Sequence, residues 1–198
     1  MSIDANQIHF LTKKALKGDL ESAKTIINFL MSLEMREAIV VAYLIAYQII
    51  MNIYMNLGEE CKKCGGICCK FGSPIELTEF DLSEIIAEGI SLSGIMNESN
   101  KYLIPRPCPF QDGWRCRIHE NKPYACLSYP FAVEDIQKDV IVSWNSSEPP
   151  KPFIPQFCVA GQKTWDYIKF LIESFKKEHG KVPTPLELLE FANSSSKS

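Results

Sequence analysis

The stretch Cys61-Lys62-Lys63-Cys64-Gly65-Gly66-Ile67-Cys68-Cys69 places four cysteines within nine residues. The reading of the whole chain turns on what they hold. Two cysteines separated by two residues can wrap one metal ion, because the backbone between them makes a tight knuckle. Gly65 and Gly66 allow that knuckle to close and to take positive φ. Cys68 and Cys69 are neighbours, and neighbouring side chains point about 100° apart on a helix and to opposite sides on a strand. Such a pair is expected to converge poorly on one ion and to suit two metals or one larger cluster.

Four more cysteines follow. Cys108 lies between Pro107 and Pro109, and Cys116 in an expected strand, Cys-Arg-Ile. Cys126 lies in a short helical turn after Pro123, and Cys158 just before a C-terminal helix. The candidate metal ligands are therefore Cys61, Cys64, Cys68, Cys69, Cys108, Cys116, Cys126 and Cys158. Eight soft donors match an iron–sulfur cluster or zinc, as two four-thiolate sites or as one cluster plus a second site.

The competing use of cysteine is the disulfide. A chain of 198 residues can bury a core without one. Residues 1–10 lack the basic start, apolar stretch and small-residue cleavage site of a signal peptide. The expected compartment is cytoplasmic and reducing, where thiols serve metals or redox chemistry.

Hydrophobic residues make up 46% of the chain and charged residues 23%, as in ordinary globular proteins. The net charge of −3 argues against a nucleic-acid partner. Lys62, Lys63 and Lys70 form the main basic cluster and read as local support for thiolates. Residues 38–58 carry no charge and are long enough to cross a bilayer. Gln48, Asn52 and Asn56 recur every four residues as a polar stripe, and Arg36, Glu37, Glu59 and Glu60 bracket the segment. The expectation is a mostly buried helix, with a membrane span as the lesser alternative.

The organisation expected is mainly α. A helical extension covers residues 1–58, with apolar stripes at Ile8, Leu11, Ala15 and Leu16 and at Leu20, Ala23, Ile26, Ile27 and Leu30. Asp19 is the expected cap of the second helix. A loop-rich, metal-organised cysteine domain covers 59–192, and a disordered tail 193–198. Within the domain, Thr78 and Asp81 predict a capped helix through Ile86, stopped by Gly89. Residues 131–133 and 140–144 read as a short β-hairpin around Gln137-Lys138-Asp139. A C-terminal helix from about residue 162 buries Trp165, Ile168, Leu171, Ile172 and Phe175 and ends at Gly180. A short helix, 185–192, follows. Trp114, Tyr124, Tyr129, Phe131 and Trp144 read as the core of the small domain.

The segments CKKCGGICCKF, ELTEFDL, RPCPFQDGWRCRIHENKPYACLSYPF and FCVAG together resemble the YkgJ-type, or CxxCxxCC, cysteine-cluster family of zinc- or iron-chelating domains. The resemblance covers about residues 59–161 and implies that the eight cysteines occupy the family's cysteine positions. A related cluster occurs in flagellin lysine N-methylases, where an iron–sulfur cluster is implicated. This chain departs from the pattern in three places. Three residues, not two, separate Cys64 from Cys68. His119 stands where the family more often has Tyr, and Leu127 where Arg usually follows the cysteine.

Three functions follow as expectations. The first is a metal-binding protein, iron–sulfur or zinc, with a structural or redox role. The second is a protein-lysine methyltransferase or its metallo-subunit. It rests on the resemblance alone, since no S-adenosylmethionine-binding βαβ unit, P-loop or dinucleotide motif is present. The third is a zinc-stabilised interaction module whose helical extension docks a protein partner. His119 reads as a surface residue rather than a ligand.

Overall fold

The computed structural model describes residues 5–196. It is mainly α, with ten α-helices and five short strands among the described residues. Two compact units are present.

The helical unit comprises the described residues up to Asn56, residues 128–155 and residues from 161 onward. It is built on α1 (Ala5–Leu16), α2 (Leu20–Ser32) and α3 (Arg36–Tyr54). Ala15, Leu16, Ala23, Ile26 and Ile27 are wholly buried, as their helical spacing predicts. Asp19 stands at the N-cap of α2 but makes no side-chain cap bond to the helix; its carboxylate accepts from the Ser22 hydroxyl. α3 is long and apolar enough to cross a membrane by length and composition, and eleven of its residues are buried within the unit. Two of the three stripe residues, Gln48 and Asn52, are drawn into the packing, while Asn56 lies beyond the helix and is exposed. Gln48 Nε2 donates to Asn52 Oδ1 at 2.9 Å, Asn52 Nδ2 donates to the Leu16 carbonyl, and Gln48 Oε1 accepts from the Phe131 amide. Two bonded side-chain amides that each satisfy a backbone group on another segment are a tie, not a solvated face.

The same unit corrects the expected hairpin at 131–144. Residues Glu134–Ser143 form a helix, and Trp144 follows it in extended backbone. Val140, Ile141 and Val142 are β-branched and suggested a strand. Glu134 and Asp135 instead occupy a helix first turn, where their charge opposes the dipole. Gln137, read as a turn residue, is fully buried. Its Nε2 donates to the carbonyls of Pro130 and Phe153, and its Oε1 accepts from the Phe153 amide.

The C-terminal helix Val159–His179 buries Ile168, Leu171, Ile172 and Phe175 as expected, and Gly180 follows it at φ 69°. Tyr47 packs against Trp165 and edge-on to Phe131. The last helix, Pro185–Ser195, opens on a capping box between Thr184 and Glu187. It overruns the expected tail. Asn193, Ser194 and Ser195 are helical, with both serine hydroxyls donating to the Phe191 carbonyl. Residues 197–198 lie outside the described residues.

The cysteine unit comprises residues 57–127 and 156–160. Its boundary differs from the division expected at 58 and 192. Residues 128–155 and most of the C-terminal helix group with the N-terminal helices, because their apolar stripes pack into that core. In the cysteine unit a three-stranded antiparallel sheet has the order β1 (Ile75–Glu76), β3 (Lys101–Ile104), β2 (Met96–Glu98). Ser99 and Asn100, both at positive φ, turn β2 into β3, as a two-residue hairpin loop requires. A second hairpin pairs β4 (Gln111–Asp112) with β5 (Arg115–Cys116). The small β-hairpins of this fold are these two. Leu77, Ile85, Ile104, Phe110 and Ile118 make the core, with Cys108 and Cys116 packed against it. The core is therefore aliphatic plus one Phe, rather than the aromatic set expected; Phe131 is buried in the helical unit.

Candidate metal centre

Two short helices carry the nonapeptide. Cys61 lies in α4 (Gly58–Lys63), and Cys64 caps that helix. Gly65 and Gly66 follow at φ 63° and 67°, as the sequence predicts, and reverse the chain into α5 (Ile67–Lys70), which holds Cys68 and Cys69. The Cys64 thiol donates to the Cys61 carbonyl at 3.3 Å, and the Gly66 amide reaches the same oxygen. The Cys69 amide donates to the Gly66 carbonyl at 2.9 Å.

Cys108 is brought to this turn by a main-chain bond, and the other downstream cysteines are placed by other means. The Cys108 amide donates to the Cys69 carbonyl at 2.8 Å. Cys116 is paired across the β4–β5 hairpin with Gln111, whose Nε2 donates to the Gly65 and Gly66 carbonyls. Cys126 lies on the short helix Tyr124–Ser128, as expected. That helix is held by Asp81. Its Oδ1 accepts from the Tyr124 amide at 2.8 Å, while its Oδ2 accepts from the Thr78 amide in the capping box of α6 (Glu79–Ala87). Cys158 is buried directly before the C-terminal helix. All eight thiols are free and all eight belong to this unit.

Electrostatics tie them together. The Cys68 thiol donates to the Cys69 sulfur, which holds Cys69 below the ordinary thiol range against the opposing effect of burial; the charges of Arg106 and Lys122 add to the lowering. The same bond, with burial, pushes Cys68 up. Burial pushes Cys126 up to about 12 and raises Cys61, Cys108 and Cys116. Charge on Cys69 is felt at Cys61, Cys68, Cys108, Cys116 and Cys126. The adjacent pair is thus electrostatically coupled, so adjacency alone does not assign its members to separate metals. The cations that draw the thiols down are Arg106 and Lys122; Lys62, Lys63 and Lys70 are exposed.

His119 is exposed and sits beside Glu120, in keeping with a surface role. Among the described residues, no group of three or more His, Cys, Asp or Glu side chains is already set around a metal position. The donor set nonetheless fits zinc or an iron–sulfur group: eight free thiols, one of them acidified, and buried Nε and Nη1 atoms of Arg106 with no hydrogen-bond partner. Sequence reasoning did not find Arg106, Gln111 or the Asp81–Tyr124 tie. The only signal for Arg106 was its place between two prolines, two residues before Cys108.

Residues 60–148 match the model of the CxxCxxCC family, described as "Putative zinc- or iron-chelating domain". Seven of the eight cysteines fall inside the match, and Cys158 lies beyond it. No curated protein and no solved structure matches the chain. Over residues 60–148 this chain is therefore similar to the CxxCxxCC family, in keeping with a zinc- or iron-chelating domain.

Proposed function

We propose that the cysteine unit is a thiolate-bound zinc or iron–sulfur centre with a structural or redox role. The eight cysteines supply its ligands. The observation that carries the reading is the gathering of eight cysteines outside any disulfide, from a nonapeptide and four distant positions, into one compact unit. Metal binding deprotonates the thiols and joins their segments, so binding free energy becomes folding free energy of this unit. A reducing, cytoplasmic compartment suits thiols kept for this use. The helical unit is available for a protein partner.

Anaerobic purification with metal analysis tests the reading. A brown protein absorbing near 400 nm indicates iron–sulfur, and a colourless one with bound zinc indicates zinc. Complete metal removal is expected to lower the melting temperature. Protein that carries neither metal, or keeps its melting temperature after stripping, overturns the proposal.

A further inference from the structure

Arg106 stands out among the polar groups of the cysteine unit. It lies in the turn that leaves β3 for Cys108. Pro105, Pro107 and Pro109 in that turn have no N–H to offer. The Cys108 amide is already given to the Cys69 carbonyl. The guanidinium is left as the strong donor of the turn. Its Nε and Nη1 atoms are buried without a hydrogen-bond partner. An arginine stays charged under all working conditions, and burying its donors unpaired is costly. The cost is recovered when an anion arrives. A metal held by four thiolates is such an anion, because four negative sulfurs outweigh a divalent ion. The charge of Arg106 already acts on Cys69, Cys108 and Cys126, from three separate segments.

We propose that Arg106 is a positioning residue of the metal centre, donating through Nε and Nη1 to its thiolate sulfurs and compensating their charge. This rests on the metal reading above. It adds an outer-shell donor to the ligand set, of the kind that orients ligands and tunes the metal.

The test is anaerobic titration of full-length, metal-stripped protein with Co(II), in phosphate-free buffer, for wild type, Arg106→Met and Arg106→Lys. Loss of the donor is expected to weaken cobalt binding by about tenfold in Arg106→Met. The sulfur-to-cobalt charge-transfer band is expected to move to longer wavelength. Arg106→Lys should recover part of the affinity, since it keeps the charge but not the fork. The metal-free Arg106→Met protein should melt no lower than wild type, because it loses an unpaired charge. Cobalt affinity within twofold of wild type with an unmoved band overturns the proposal. So does a lowered melting temperature of the metal-free variant, which would mark a structural role. Equal cobalt binding combined with phosphate binding by wild type alone would assign the guanidinium to an outside anion. Wild type that takes up no cobalt overturns this proposal, and if the protein as purified also carries neither zinc nor an iron–sulfur cluster, the metal reading falls with it.

Discussion

The amide of Cys108 donates to the carbonyl of Cys69 at 2.8 Å. Two cysteines distant in sequence are therefore joined through main chain, with their sulfurs left out of the bond. Substituting either side chain leaves the link in place. Cys→Ser variants at these two positions are thus clean probes of sulfur chemistry.

The thiols should differ in reactivity in the metal-free protein. The Cys68 bond holds Cys69 below the ordinary range, so its thiolate persists where an ordinary thiol is protonated. Cys126, pushed up to about 12 by burial, stays protonated. With iodoacetamide at pH 7, peptide mapping should find Cys69 modified well before Cys126. The Cys126 rate should still be rising at pH 11. In Cys68→Ala the early reaction of Cys69 should weaken, because the side-chain donor is removed.

Asp81 is 1% exposed and serves two helices at once. Asp81→Ala removes the acceptor of both the Thr78 and Tyr124 amides. It should destabilise the protein by about 2–3 kcal/mol in urea unfolding, given the usual cost of a lost cap and an orphaned amide. Asp81→Asn, which keeps one oxygen, should lose less.

Gln137 is the matching tie in the helical unit. Gln137→Ala leaves two carbonyls and one amide without their partner. A loss of about 2–4 kcal/mol is expected from thermal or urea unfolding. Gln137→Leu should not rescue it, since the three backbone groups remain.

Acid should act through Glu187. The Lys181 ammonium draws its carboxyl down to about 2 from an ordinary 4.5, with the Thr184 amide adding to the effect. A carboxylate whose folded value is lowered contributes stability that is complete above pH 4.5 and is lost as pH falls toward 2. The contribution is small, because the pair is solvent-screened. Melting curves across that window should show wild type falling more steeply than Glu187→Gln, with the two converging at the acid end.

Much of the fold was legible in the sequence because its signals are local. Thr78 with Asp81, the glycine pair at 65 and 66, and the apolar stripe from Ile168 to Phe175 each specify their own conformation over a few residues. The failures share one cause. Gln137 looks like a turn residue until Phe153 is beside it, and residues 140–144 look like strand until the helix through Gln137 carries them as far as Ser143. Gln48 and Asn52 show in the sequence only as part of a polar stripe, and their bonds to Phe131 and Leu16 appear only in the fold. The pairing partner lies far along the chain in each case, and a polar side chain carries no mark of whether it will meet water or backbone. The cysteine positions were plain for the opposite reason, since their number and spacing already exceed what a chain of this size needs for a core. The donors around them, Arg106 and Gln111, are ordinary residue types that only the folded chain singles out.

The left-handed pair Gly65–Gly66 has one more consequence. Gln111 Nε2 would stand 2.6 Å from a Cβ built on Gly66, and the Trp114 carbonyl is close behind. The turn is moulded against a hairpin that begins some forty residues later. A synthetic peptide spanning the nonapeptide, or the same nine residues grafted onto another scaffold as a chelating tag, would carry the four thiols without the mould that shapes them. The motif is not portable: its unit of inheritance is the whole cysteine unit.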